Sequence, residues 1–309
     1  MFVRAFAQWV TGQPFRGFIA AALASLLSLS LLPVAAWVPA AIMVLALLAV
    51  GPRAAAFAAL GAVLPLAWGF GPIGGAALAL GIPVVMLLPA YLAGSLLERT
   101  RSLGFTFQAV TIAVAALLFG VHVALGSPTS VLHPLLDEVR PALEHTARML
   151  ADLGVHKSPD EIGEAAVSVA WRTIAWLVML HTLVAAFAGL WLFALVREPG
   201  LFGREFRRLR LGQALAWVMV VALVVSTVAS YTGHSMPVAA DLVFLLSAAF
   251  MIQALAVVHA LKSAQVFGTG TVVVAYLLAV LMPLVLAGVG FADTWIRIRE
   301  RHAPAVLRD

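Results

Sequence analysis

The feature that most restricts how this chain can fold is a succession of apolar runs separated mostly by short turns, several of them arginine-bearing. The runs cover residues 17–32, 38–50, 54–68, 74–97, 105–125, 166–196, 214–231, 238–261 and 271–291. A helix needs about 20 apolar residues to cross about 30 Å of hydrocarbon, and several of these runs approach that length. With 63% hydrophobic and 11% charged residues and a mean hydropathy of +1.05, there is too little polar surface to clothe a soluble globule. The expectation is an all-α, polytopic helical membrane protein of about nine transmembrane helices.

Orientation follows from charge. Arg197, Arg204, Arg207, Arg208 and Arg210 fall within fourteen residues between two apolar runs. Arginine in a short loop resists transfer across the inner membrane, which puts this loop, 197–212, in the cytoplasm. The loop divides the chain into a six-helix, transporter-like unit, 1–196, and a three-helix C-terminal unit, 213–309. The N-terminus is then cytoplasmic, and nine crossings leave the tail with Arg297, Arg299, Arg301 and Arg308 outside. Eight crossings are the alternative, if 17–50, with Pro33 and Pro39 at its centre, failed to cross twice. The net charge of +5 reflects this topology and does not signal a nucleic-acid partner. The absence of cysteine excludes disulfides, iron–sulfur clusters and thiol catalysis.

Two segments lie outside the apolar runs. Residues 1–16 combine Arg4 and Arg16 with Phe2, Phe6, Trp9 and Phe15, which suits an interfacial amphipathic helix. Val34-Ala35-Ala36 faintly resembles a signal-peptidase site, but a second apolar run begins at once, so the segment is expected to stay. Residues 126–169 form an acidic, external insertion. In it Leu136, Val139, Leu143, Thr146, Leu150 and Leu153 recur at helical spacing, and Gly154 is a suitable stop. Ser158-Pro159-Asp160-Glu161 then starts another helix, with a capping box and proline at its first position.

Small residues mark close helix packing. Gly17, Ala20, Ala21, Ala24, Ser25 and Ser28 line one flank of the first run, and Ala20, Ala24 and Ser28 are candidates for docking another membrane subunit. Arg204, Arg207, Arg208 and Arg210 are candidates for holding a partner at the loop.

Few ionisable or strongly polar groups lie inside the apolar runs, where each is expensive and faces a partner or water. Arg172 and Asp241 sit at matching depth near the outer ends of the sixth and eighth runs, and are expected to pair. His181, Gln253 and His259 are further candidates for ligand contact. Their plainer reading is a histidine ring bonded to a neighbouring carbonyl and a glutamine joining two helices. No H-E-x-x-H, G-x-S-x-G or G-x-x-x-x-G-K-[ST] motif occurs, and no acid, base and nucleophile converge. The expectation is therefore no enzyme and no cofactor. Two functions stay open: a substrate-binding or transport component energised by another polypeptide, or a non-catalytic scaffold or assembly factor. The expected surroundings are the lipid bilayer, with a membrane coupling subunit or a second copy of the chain as partner.

Four stretches carry a family resemblance. They are Gly94 before Glu98-Arg99-Thr100-Arg101; Phe202-Gly203-Arg204-Glu205-Phe206-Arg207-Arg208-Leu209-Arg210-Leu211; Ile252-Gln253-Ala254-Leu255-Ala256-Val257-Val258-His259; and Gly288-Val289-Gly290-Phe291-Ala292-Asp293-Thr294-Trp295-Ile296-Arg297-Ile298-Arg299. Together they resemble the YybS-like family of bacterial multi-pass membrane proteins, a domain of unknown function, over nearly the whole chain. The first half of that family is similar to the substrate-binding subunits of energy-coupling factor transporters. That likeness implies six helices and a small-residue first helix that docks on a coupling subunit.

Overall fold

The computed structural model describes residues 1–30, 35–125, 134–234 and 236–302. Val34 of the peptidase-like motif, the start of the acidic insertion and Arg308 lie outside them. Among the described residues every regular element is a helix: α1 (Phe2–Gly12), α2 (Pro14–Ser30), α3 (Trp37–Ala49), α4 (Pro52–Thr100), α5 (Leu103–Leu125), α6 (Pro134–Asp152), α7 (Pro159–Arg197), α8 (Leu201–Arg207), α9 (Gln213–Tyr231), α10 (Pro237–Ser263), α11 (Thr269–Leu281), α12 (Pro283–Ile296) and α13 (Ile298–His302). Among the described residues six stretches are long and apolar enough to cross a membrane, or seven if α11 and α12 make one broken span. The helices α2 and α3 are apolar but shorter.

Straight, the 49 residues of α4 would reach roughly 74 Å, more than twice the hydrocarbon thickness. The chain instead reverses where Pro72 and Gly75 meet. Gly75 has φ +60°, a left-handed value that glycine adopts without penalty. A β-carbon on Gly71 would touch that of Ala79 at 3.7 Å, although eight residues advance about 12 Å along a straight helix. The two arms, Pro52–Pro72 and Gly75–Thr100, are the third and fourth runs expected from sequence. Pro65, Pro83 and Pro89 remain inside helix.

By contacts the chain forms two compact units. The first comprises residues 1–111, 178–216 and 247 onward; the second comprises 112–177 and 217–246. In the first unit the core is built around α3, whose residues Ala40 to Leu47 are all buried. Ala54, Ala55, Ala58 and Ala62 on one arm of α4, Leu87 and Ala90 on the other, and Ala185 and Leu192 on α7 belong to the same cluster. Glycine sets the closest approaches. A β-carbon on Gly61 would run into the Phe18 carbonyl, and one on Gly94 would lie 3.2 Å from both Val44 and Leu47. In lipid, where apolar burial drives little association, such backbone proximity is what holds helices together.

The C-terminal part differs from the single span expected over 271–291. Pro283 lacks an N–H and drives Met282 out of helical geometry; Met282 has φ −141° and ψ 60°. The helices α11 and α12 meet there at a bend of 117°. With 13 and 14 residues, each reaches only about 20 Å, too short to cross alone. The chain thus turns back, and Arg299 donates from Nη1 to the Arg207 carbonyl at 2.7 Å. The tail through Arg301 therefore lies at the arginine-loop end and not at the opposite one. The tail arginines through Arg301 thus lie on the same side as those of the loop, not on the opposite side that nine crossings would give them.

In the second unit α6 and the start of α7 form the expected hairpin. Gly154 has φ +81°, and Val155 N–H returns to the Leu150 carbonyl at 2.9 Å. Ser158 and Glu161 exchange hydrogen bonds of 2.8 and 3.1 Å, which satisfies two donors at the helix start. Leu136 and Leu143 of α6 come within 3.3 Å of where a β-carbon on Gly163 would stand.

Candidate functional site

Three apolar helices, α5, α7 and α10, each bring one ionisable side chain to a common point within the second unit. Arg172 of α7 donates from Nε to Asp241 Oδ1 at 2.9 Å. Its guanidinium carbon lies 5.9 Å from the centre of the Phe244 ring, an arrangement that spreads the cation over an aromatic face. His122 of α5 places Nε2 3.4 Å from the other carboxylate oxygen, Oδ2. The Asp241 side chain is 4% exposed and that of His122 6%, against 29% for Arg172. A lone carboxylate in such surroundings is costly, and Arg172 supplies the counter-charge and a donor to Oδ1.

Arg172 and Asp241 were legible in sequence because both interrupt apolar runs at the same depth. His122 was not singled out. Its signal is of the same kind, a histidine three residues before the end of the fifth apolar run.

The other candidates belong to the first unit and do not join this trio. His181 Nε2 meets the Met86 carbonyl at 3.0 Å, tying α7 to α4. His259 Nε2 meets Tyr276 Oη at 3.2 Å, with the Phe206 ring edge-on at 5.5 Å between centroids. Gln253 is fully buried and joins two helices to the loop. Its Oε1 accepts the Leu211 N–H at 2.6 Å, and its Nε2 donates to the Gly290 carbonyl at 2.8 Å. It also reaches Thr294 Oγ1 at 3.2 Å and Asp293 Oδ2 at 3.3 Å.

That network continues into the tail. Arg297 is left-handed, with φ 55°, and the turn brings Arg299 back onto Asp293, with Nη2 2.7 Å and Nε 3.1 Å from Oδ2. Both side chains are almost wholly buried. Burial pulls the Arg299 guanidinium below its usual range, and Asp293 opposes that pull. Arg210 Nη1 meets Glu300 Oε1 at 2.7 Å, and this bond holds the Glu300 carboxyl below the ordinary carboxylate range.

The docking candidates are largely engaged within the chain. Ala20 and Ser28 are buried, and Ala24 is half-buried against the α3–α4 cluster. Arg204 pairs with Glu198, Arg208 approaches Glu205 at 4.0 Å, and Arg207 offers its carbonyl to Arg299. A cleft of about 280 Å³ beside the loop is lined by Leu48, Leu97, Arg101, Leu190, Glu198 and Glu205, among others. Among the described residues no group of three or more His, Asp or Glu side chains is placed to hold a metal ion.

Described residues that are helical throughout, six or seven candidate spans among them, and a cluster of ionisable groups within apolar helices define a polytopic membrane protein. The chain belongs to the family described as "Predicted membrane protein (DUF2232)", whose match runs from residue 18 to 294. That assignment agrees with the resemblance carried by the four stretches quoted above. No curated protein matches the chain, and no solved structure does.

Proposed function

We propose that this chain is a transport component of the bacterial cytoplasmic membrane, with its N-terminus and arginine loop inside, that binds a solute and carries no ATPase of its own. The observation that carries this reading is the Arg172–Asp241–His122 trio. Three ionisable groups drawn from three apolar helices are costly in a membrane, and such groups mark solute or ion pathways. The resemblance that the sequence suggests between the family's first half and the substrate-binding subunits of energy-coupling factor transporters is an expectation in line with this reading. A scaffold would need free docking faces. Those suggested by sequence are instead engaged: the small-residue flank of α2 packs on α4, and the loop arginines bond within the chain.

The test compares solute distribution across the membrane in cells that carry the wild-type chain or Asp241→Asn at equal folded levels. At least one small solute should redistribute with the wild type and not with the variant. Identical pools in both strains, and in cells without the chain, would favour the scaffold.

A further inference from the structure

We infer that His122 and Asp241 together form a binding site for a single proton, held between His122 Nε2 and Asp241 Oδ2. The argument is a count of donors. His122 Nδ1 lies 3.0 Å from the Leu118 carbonyl, one turn back on α5. A carbonyl only accepts, so Nδ1 carries the hydrogen. In a neutral ring Nε2 then presents a lone pair. It faces Asp241 Oδ2 at 3.4 Å, and an ionised carboxylate also only accepts. Among the described residues His122 Nε2 is buried and has no hydrogen-bond partner.

Exchanging the ring tautomer does not remove the conflict. A hydrogen on Nε2 would point toward Asp241 Oδ2, 3.4 Å away, but Nδ1 would then turn its lone pair on the Leu118 carbonyl. Within this set of protein atoms an added proton gives each one a partner. It sits on Nε2, giving an imidazolium that donates to Oδ2, or on Oδ2, giving a carboxylic acid that donates to Nε2. It arrives from water at the membrane surface and returns there, with no bond between heavy atoms made or broken. Oδ1 is unaffected, because it already accepts from Arg172 Nε at 2.9 Å.

The charges fit a site that fills and empties. Without the extra proton Arg172 and Asp241 cancel; with it the trio carries one net positive charge. Among the described residues the charged groups facing His122 are Asp241 from α10 and, through it, Arg172 from α7. The filled site ties α5 to α10 by a charge-assisted bond, and the empty one sets two acceptors against each other across the same gap. A buried acceptor pair without a proton is a strained contact. Proton occupancy is thereby linked to how closely α5 and α10 approach. The site stands on this donor count alone; that the proton drives solute movement rests on the transport reading above.

The test uses the full chain in lipid nanodiscs, with nitrogen-15 histidine NMR across pH and infrared difference spectroscopy of carboxyl groups. His122→Gln assigns the His122 signals. In the wild type, lowering the pH should add one proton, seen as Nε2–H at His122 or as a protonated Asp241 carboxyl. In Asp241→Asn the His122 ring should stay in its neutral Nδ1–H form over the range where the wild type carries the extra proton. In His122→Gln, whose amide donates without titrating, the Asp241 step should vanish. If Asp241→Asn does not fold, the wild type and His122→Gln decide. A bare Nε2 beside an ionised Asp241 throughout the folded range would overturn the proposal, as would unchanged His122 titration in Asp241→Asn. A failed transport assay with this titration intact would remove the transport reading and leave the proton site.

Discussion

Arg299 donates to the Arg207 carbonyl at 2.7 Å and lies beside Asp293 at 2.7 Å, so the C-terminal tail and the arginine loop occupy one end of the molecule. The chain lacks cysteine, which makes introduced thiols a clean probe. Cysteines at Gly203 and Arg301 should react alike with an impermeant reagent, and both should differ from a cysteine at Thr146 on α6. With the loop in the cytoplasm, the first two stay unlabelled in intact cells. Labelling at Arg301 together with protection at Gly203 would restore a tail on the opposite side.

The Arg172–Asp241 pair should show strong coupling. Removing one partner of a buried pair costs about 3–5 kcal/mol, and the partial exposure of Arg172 places this pair at about the lower end of that range. Arg172→Leu leaves the buried carboxylate with His122 alone and should lower folded yield more than Arg172→Leu with Asp241→Leu together. A double-mutant cycle on thermal stability in detergent measures this directly. Additive losses would mean that the contact contributes nothing of its own.

Gln253 should be a structural keystone for the loop. In Gln253→Leu the Leu211 N–H loses its acceptor and the Gly290 carbonyl its donor. The Gly290 carbonyl keeps its place in α12, but the Leu211 N–H is left unbonded, at a cost of about 1–3 kcal/mol. Hydrogen exchange should rise at Leu211 and across 208–212, with α6 unaffected. A variant as protected as the wild type there would show that other contacts hold the loop.

Two neighbouring glycines should behave oppositely. A β-carbon on Gly290 would collide with the Phe250 carbonyl, whereas one on Gly288 meets nothing within 4 Å. Gly290→Ala should therefore force α12 off α10 and cost about 1–3 kcal/mol. Gly288→Ala should be neutral or stabilise by up to about 1 kcal/mol through helix propensity. Thermal denaturation of the two variants side by side tests the packing of α12, and equal melting would refute it.

What the sequence determined by itself is the part governed by local chemistry and by the solvent. Runs such as 105–125 and 238–261 could only become helices, because lipid leaves backbone groups no other partner. Ser158 with Glu161, Gly154 and the apolar spacing of α6 specify their own turn and caps within a few residues, so those details were legible too. Arg172 and Asp241 were readable as a pair because few charges interrupt the apolar runs and these two lie at equal depth.

Only the tertiary structure decided what depends on contact between distant segments. Pro283 breaks its helix while Pro65, Pro83 and Pro89 do not, although all four interrupt apolar runs alike. The difference lies in the surroundings: Gly290 closes on the Phe250 carbonyl and Arg299 is held by Asp293 and Arg207, contacts that a straight span could not make. His122 likewise reads as a lone histidine until α5 is placed against α10. Its role comes from the distance between two helices, and no residue pattern within either one encodes that distance.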